Sequence, residues 1–285
     1  MWWLLGFIVL AGIGWGAFST RRILYPERHP IPAPQSLPPY TSHTLTAPDG
    51  VSFDVWVLQP PSPRARLLVY HGYYANRYQV LDIARELRER GYETLLVELR
   101  GHGSRPGPFT LGVRETEEAG VVLHWARSRK TGRPLPVGVL GLSLGGHVAC
   151  QVAARFSDEI RAVALDSVYS RFFTVLTQAM RRRYHLPAFP WVYLTWWSLQ
   201  LALRRRLSRL DPAALAPRLR QPLFAIQGGE DRRVRPAFAR ELYERWAGPK
   251  RQWFEPWVAH VGMFTEHPQL YGVRVAAFFD EMLSG

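Results

Sequence analysis

The chain has 285 residues, 47% of them hydrophobic, one cysteine and a formal net charge of +13. That is enough apolar material for one sizeable α/β core, and a lone cysteine excludes an intrachain disulfide framework. The positive balance is almost all arginine, with lysine only at 130 and 250; no aromatic–basic module, P-loop, dinucleotide glycine pattern or ligand cluster accompanies it, so no nucleic acid, cofactor or metal is expected.

From Trp2 to Phe18 the chain is uncharged and apolar, with tryptophan near both ends. At about 1.5 Å per residue the run approaches the roughly 30 Å of a bilayer core. No Lys or Arg precedes it, whereas Arg21, Arg22 and Arg28 follow. This reads as a transmembrane anchor over residues 1–20, with the charge bias favouring a cytoplasmic domain. Gly14 and Gly16 keep a cleaved signal peptide open as the alternative. Prolines at 26, 30, 32, 34, 38 and 39 predict a stiff, extended linker over 21–40, and the domain proper is expected over 41–285.

Leu67-Leu68-Val69-Tyr70 is a strand-type run ending in His71-Gly72-Tyr73, and Leu95–Leu99 is another, ending in Arg100-Gly101-His102-Gly103-Ser104-Arg105. A third, Pro136–Leu140, runs into Gly141-Leu142-Ser143-Leu144-Gly145 and then an Ala-rich helical stretch, Gly146–Ala154. A serine between two glycines on a sharp strand-to-helix turn is the geometry of an exposed nucleophile. The turn strains the serine backbone, and side chains at the glycines would collide where strand and helix cross. Cys150, on that helix, reads as a small buried apolar residue. His71, His102 and His147 read as structural.

A fourth strand, Arg161–Leu165, ends at Asp166. From there to Asp211 the chain holds far more than the single helix a sheet crossover needs, including Arg181–Arg183, Pro190–Trp197 and Arg204–Arg206. We expect a helical cap over 168–212 above Ser143, with Trp191, Trp196 and Trp197 lining a pocket for an apolar acyl group. Its apolar stretch, Trp191–Leu203, is too short to cross a membrane but suits an interfacial helix flanked by arginine. Pro222–Gln227 is the next strand, with Asp231 just past its end and Glu230 as competitor. Arg251–Glu255 is the last, with His260 in the following loop and His267 as competitor. A serine hydroxyl needs a base and a group that orients the base. Three successive strand ends bring such residues together although they are far apart in sequence.

These segments, in this order, resemble the serine esterases and lipases of the α/β-hydrolase superfamily, over nearly the whole chain after residue 40. The resemblance implies an α/β fold: a mostly parallel sheet flanked by helices, with a helical cap insertion. It implies a triad of Ser143, His260 and Asp231, with Asp166 as the reserve position for the acid. The backbone N–H groups of Tyr73 and Leu144 would form the oxyanion site. Gly228–Val234 resembles the family's acid-bearing segment, with Gln227 where histidine is common. The expected activity is cleavage of carboxylic esters, small-molecule or lipid, at a membrane. Amides or thioesters cleaved by the same triad are one alternative, and a noncatalytic binding protein on the same fold is the other.

Overall fold

The computed structural model describes residues 2–28, 31–129 and 134–283; Pro30 and Lys130 lie outside them. Strands β1 (Thr41–Thr46) and β2 (Ser52–Leu58) pair antiparallel at one edge of a single sheet. β3 (Ala65–Tyr70), β4 (Tyr92–Val97), β5 (Val137–Leu142), β6 (Ile160–Asp166), β7 (Leu223–Gly228) and β8 (Lys250–Glu255) run parallel beside them. The order across the sheet is β1-β2-β4-β3-β5-β6-β7-β8. The helices are α1 (Trp2–Leu24), α2 (Leu81–Glu89), α3 (Val113–Ser128), α4 (Leu144–Arg155) and α5 (Phe172–Tyr184). α6 (Trp191–Leu203), α7 (Pro212–Leu215), α8 (Pro236–Arg245), α9 (Met263–Glu266) and α10 (Pro268–Leu283) follow.

The central strands are apolar on both faces because both are covered. Along β3, Leu67 and Val69 face a core shared with α2 and α10, while Leu68 and Tyr70 face the one under α3 and α4. Parallel strands send their carboxyl ends to one edge of the sheet. Ser143, Asp166 and Asp231 therefore arrive at the same rim, after β5, β6 and β7.

Between β6 and β7 lie α5 and α6, in the stretch expected to hold extra helices. α1 packs against α6 through its small residues. Gly12 meets the Leu194 side chain, and a Cβ built at Gly16 would lie 3.2 Å from Cβ of Ser198. Trp15 Nε1 donates to the Trp191 carbonyl at 3.1 Å, and Thr195 Oγ1 donates to Ser19 Oγ at 2.8 Å.

Two expectations change here. α1 runs to Leu24, so Arg21 and Arg22 are helical and the helix does not end at residue 20. The segment after it is not a free spacer. The Leu24 carbonyl accepts from the Phe109 N–H at 2.7 Å, the Ile31 carbonyl accepts from Asn76 Nδ2 at 2.9 Å, and Pro26 is buried. These bonds hold it against the domain. Among the described residues one helical stretch, Gly6–Leu24, is long and apolar enough to cross a membrane.

Candidate active site

Ser143 sits at φ 51°, ψ −114°, between the end of β5 and the start of α4. This left-handed conformation costs a residue with a Cβ about 1–3 kcal/mol, and its neighbours explain why the chain holds it. A Cβ on Gly141 would lie 2.5 Å from the Gly145 carbonyl oxygen, and one on Gly145 would lie 2.5 Å from that of His71. The strand and helix cross too closely for any other residue at those two positions.

The His260 ring bridges the serine and an acid. Its Nε2 lies 3.0 Å from Ser143 Oγ, and its Nδ1 lies 2.7 Å from Asp231 Oδ2. A carboxylate facing Nδ1 requires the proton on that nitrogen, which leaves Nε2 free to accept the serine proton. Asp231 is buried and richly solvated by the protein. Its Oδ1 accepts from the N–H groups of Arg233 at 2.9 Å and Val234 at 2.7 Å, and Gln227 Nε2 donates to Oδ2 at 3.3 Å. Gln227 thus braces the acid, a role the sequence reading did not give it. Glu230 is exposed, and His267 packs near Trp253, 6.1 Å between ring centroids. Neither reaches the serine.

Three buried histidines near the rim, His71, His102 and His147, are held as neutral rings. His71 Nδ1 donates to the Gly72 carbonyl while Nε2 accepts from the Leu99 N–H, and burial pushes its pKa down to about 3. Burial also lowers His102 and His147, each to about 4; they donate to the carbonyls of Arg100 and Leu111. The first two fix the loops after β3 and β4. Tyr73 and Leu144 both border the cavity beside Ser143, and among the described residues neither backbone N–H has an acceptor.

Asp166, the reserve acid, does not touch the imidazole. Its Oδ1 accepts from Ser167 Oγ at 2.9 Å, and Ser167 Oγ accepts in turn from the Val261 N–H at 3.0 Å. The pair ties the end of β6 to the loop that carries His260. Burial pushes the Asp166 pKa up to about 6. An acid whose folded pKa is raised favours its protonated form in the fold. Its contribution is therefore greatest below about pH 4 and is lost as pH rises to about 6. The cost above that is of order 3 kcal/mol. Asp166→Asn keeps the acceptor for Ser167 without the charge. We expect its unfolding temperature to exceed wild type at pH 7 and to converge with it at pH 4. A constant difference across that range would show that the carboxyl does not ionise there.

A cavity of about 650 Å³ opens above Ser143, within the usual range for small-molecule sites. Its apolar wall comes from α5, through Phe172, Val175, Leu176 and Met180, with Ile23 from α1 and Leu111. The three tryptophans assigned to this wall are elsewhere. Trp191 packs edge-on against Trp15, Trp196 packs against Phe172 and Phe173, and Trp197 is 67% exposed. The physical reason is that α6 is the outer helix of the pair and spends one face on α1. The last turns of α1 instead contribute Ser19, Arg22 and Ile23 to the cavity.

A family model described as alpha/beta hydrolase fold matches residues 65–203. An uncharacterized protein of Mycobacterium tuberculosis is 28% identical over 265 residues, covering 90% of this chain and 84% of the relative. A pimeloyl-[acyl-carrier protein] methyl ester esterase of Neisseria meningitidis is 29% identical over 113 residues, covering 39% of this chain and 40% of that one. Among solved structures, an esterase of Pyrococcus furiosus superposes with a TM-score of 0.74 at 22% identity, covering 92% of this chain and 98% of its own.

Proposed function

The chain belongs to the α/β-hydrolase superfamily, and we propose that it is a serine hydrolase that cleaves carboxylic esters of apolar acyl groups. The observation that carries this reading is the single imidazole shared by Ser143 at 3.0 Å and Asp231 at 2.7 Å. Ser143 Oγ attacks the acyl carbon while His260 Nε2 takes its proton, and Asp231 steadies the imidazolium. The negative charge that develops on the carbonyl oxygen meets the N–H groups of Tyr73 and Leu144; one such donor is typically worth about 10²–10³ in rate. The tetrahedral adduct collapses, and His260 returns the proton to the departing alkoxide. Water then enters, gives a proton to His260 and releases the acid from Ser143.

The test is covalent labelling of the detergent-solubilised full chain by a fluorophosphonate, followed by a chain-length series of p-nitrophenyl esters. Labelling is expected, with turnover rising from acetyl to medium-length acyl groups as the α5 wall is filled. A folded protein that takes no label and cleaves none of the esters overturns the reading. Equal or faster turnover of the matching anilides or thioesters would move the leaving group instead.

We propose further that the protein sits at a membrane. Trp2, Trp3, Phe7, Ile8 and Leu10 on α1 are well exposed, as are Trp197 and Leu201 on α6. From Gly12 onward α1 is committed to α6. The ten residues before it are about 15 Å long, half of a roughly 30 Å hydrocarbon core. Insertion into one leaflet, with α6 alongside at the interface, fits this geometry better than a complete crossing. Arg204, Arg205 and Arg206, at the end of α6, suit the anionic cytoplasmic leaflet. The full chain should float with vesicles of phosphatidylcholine and phosphatidylglycerol, and Trp197→Glu with Leu201→Glu should weaken flotation. Unaltered flotation in that variant would leave α1 as the sole contact.

A further inference from the structure

Four arginines border the cavity: Arg22 from α1, Arg182 and Arg183 from the last turn of α5, and Arg233 from the loop after β7. No aspartate or glutamate is among the described residues that line it. Glu27, outside that lining, pairs with Arg22 and lies 3.9 Å from Arg183. Arg182 spends a guanidinium N–H on the Arg232 carbonyl, which carries no charge to offset its own. Arg233 stands two residues beyond Asp231 and borders the cavity. The result is an apolar wall of Leu176, Met180 and Phe172 beside a rim on which Arg182 and Arg233 have no ion-pair partner among the described residues.

Rim arginines that outnumber the acids beside them repel one another, so an anion entering between them relieves that repulsion as well as pairing with each. A guanidinium offers two parallel N–H donors, the geometry that carboxylate and phosphate oxygens accept. We propose that the site selects esters carrying an anionic group, carboxylate or phosphate, beside an apolar acyl chain. The acyl chain lies along α5, and the anion sits among Arg182, Arg183 and Arg233. This rests on the serine hydrolase reading and narrows its substrate class.

The rim is solvent-exposed, so each arginine contributes modestly. Together they should give about a tenfold preference at low salt, shrinking as the Debye length falls to about 3 Å near 1 M. The experiment compares kcat/KM of the full chain, in a neutral detergent, for three hexanoyl esters that share a leaving alkoxide type: those of glycerol, glycerate and glycerol phosphate. Both anionic esters are expected to exceed the neutral one; which of them leads distinguishes a carboxylate from a phosphate source. In Arg182→Gln with Arg233→Gln the anionic-to-neutral ratio should fall toward one. The ratio reports selectivity even where overall turnover drops. Should that variant not fold, decyl phosphate should inhibit wild-type hydrolysis of the neutral ester about tenfold more strongly than decanol.

Neutral turnover equal to or above anionic turnover overturns this inference alone. Preference that appears only on anionic vesicles, and not in neutral detergent, also overturns it and assigns the arginines to lipid contact. Failure to cleave any of the three esters, together with no fluorophosphonate labelling, fails the hydrolase reading and this inference with it.

Discussion

Ser143→Ala is expected to abolish fluorophosphonate labelling and to lower ester turnover by about four to six orders of magnitude. The substitution removes one hydroxyl, whose recorded partner is His260 Nε2. Alanine keeps the Cβ, so the backbone at φ 51° is neither relieved nor further strained. The unfolding temperature should therefore stay within a few degrees of wild type, which separates lost chemistry from lost structure. Residual turnover is expected from the proposed oxyanion donors and the cavity, which the change leaves in place. In the proposed mechanism the serine and the imidazole act as a unit, so Ser143→Ala combined with His260→Ala should be about as slow as either alone. Labelling that persists in Ser143→Ala, or turnover within a hundredfold of wild type, would move the nucleophile elsewhere.

Much of this site is legible in the chain because its constraints are local. The strand–Gly-x-Ser-x-Gly–helix sequence encodes a turn that only glycine at 141 and 145 permits, and the carbonyls that forbid a side chain there come from neighbouring segments of the same rim. Asp231 and His260 follow apolar runs that end at that rim, and parallel strands deliver them to one place. The β1–β2 hairpin carries its own signal in Asp49-Gly50, where Gly50 adopts φ +81°, but it is weaker than the five buried runs β3–β7 because one face is exposed.

The misassigned parts depend on long-range packing. Tryptophan-rich α6 looks like a pocket wall when read alone. Its fate is decided by α1, some 180 residues earlier, whose Gly12, Gly16 and Ser19 form a small-residue stripe at helical spacing. Read as a flat face for a second helix, as such stripes permit, that pattern would have turned α6 outward and brought Arg22 to the cavity. The assignment of Arg22 to a linker and of the acyl wall to tryptophan are one error with one cause. α5 carries the wall because it is the inner helix of the pair.

The largest stability effect is expected at Glu118, far from the triad in sequence. Its Oε1 accepts from both Arg100 Nε and Arg105 Nη2, and all three side chains are buried, with Glu118 itself 1% exposed. Arg100 is also bidentate to Asp49, at 2.7 Å on each oxygen, an interaction that holds that carboxyl well below the usual range. Among the described residues Arg105 has no such second acid: its guanidinium also meets the Glu98 carbonyl at 2.8 Å and the face of the Phe53 ring at 4.6 Å. Glu118→Ala thus strands a guanidinium in the interior and removes half the compensation of another. Breaking a buried pair from one side costs about 3–5 kcal/mol, which for a domain of this size lowers the unfolding temperature by roughly 10 °C. Glu118→Gln retains a carbonyl acceptor and should fall between the two. The turn these arginines hold, Arg100–Arg105, also carries His102, whose ring packs 5.3 Å from Tyr73. Loosening it should therefore slow catalysis through the oxyanion side while fluorophosphonate labelling of Ser143 persists below the transition. A Glu118→Ala protein as stable as wild type would mean that water reaches these arginines, and that the network is solvated rather than buried.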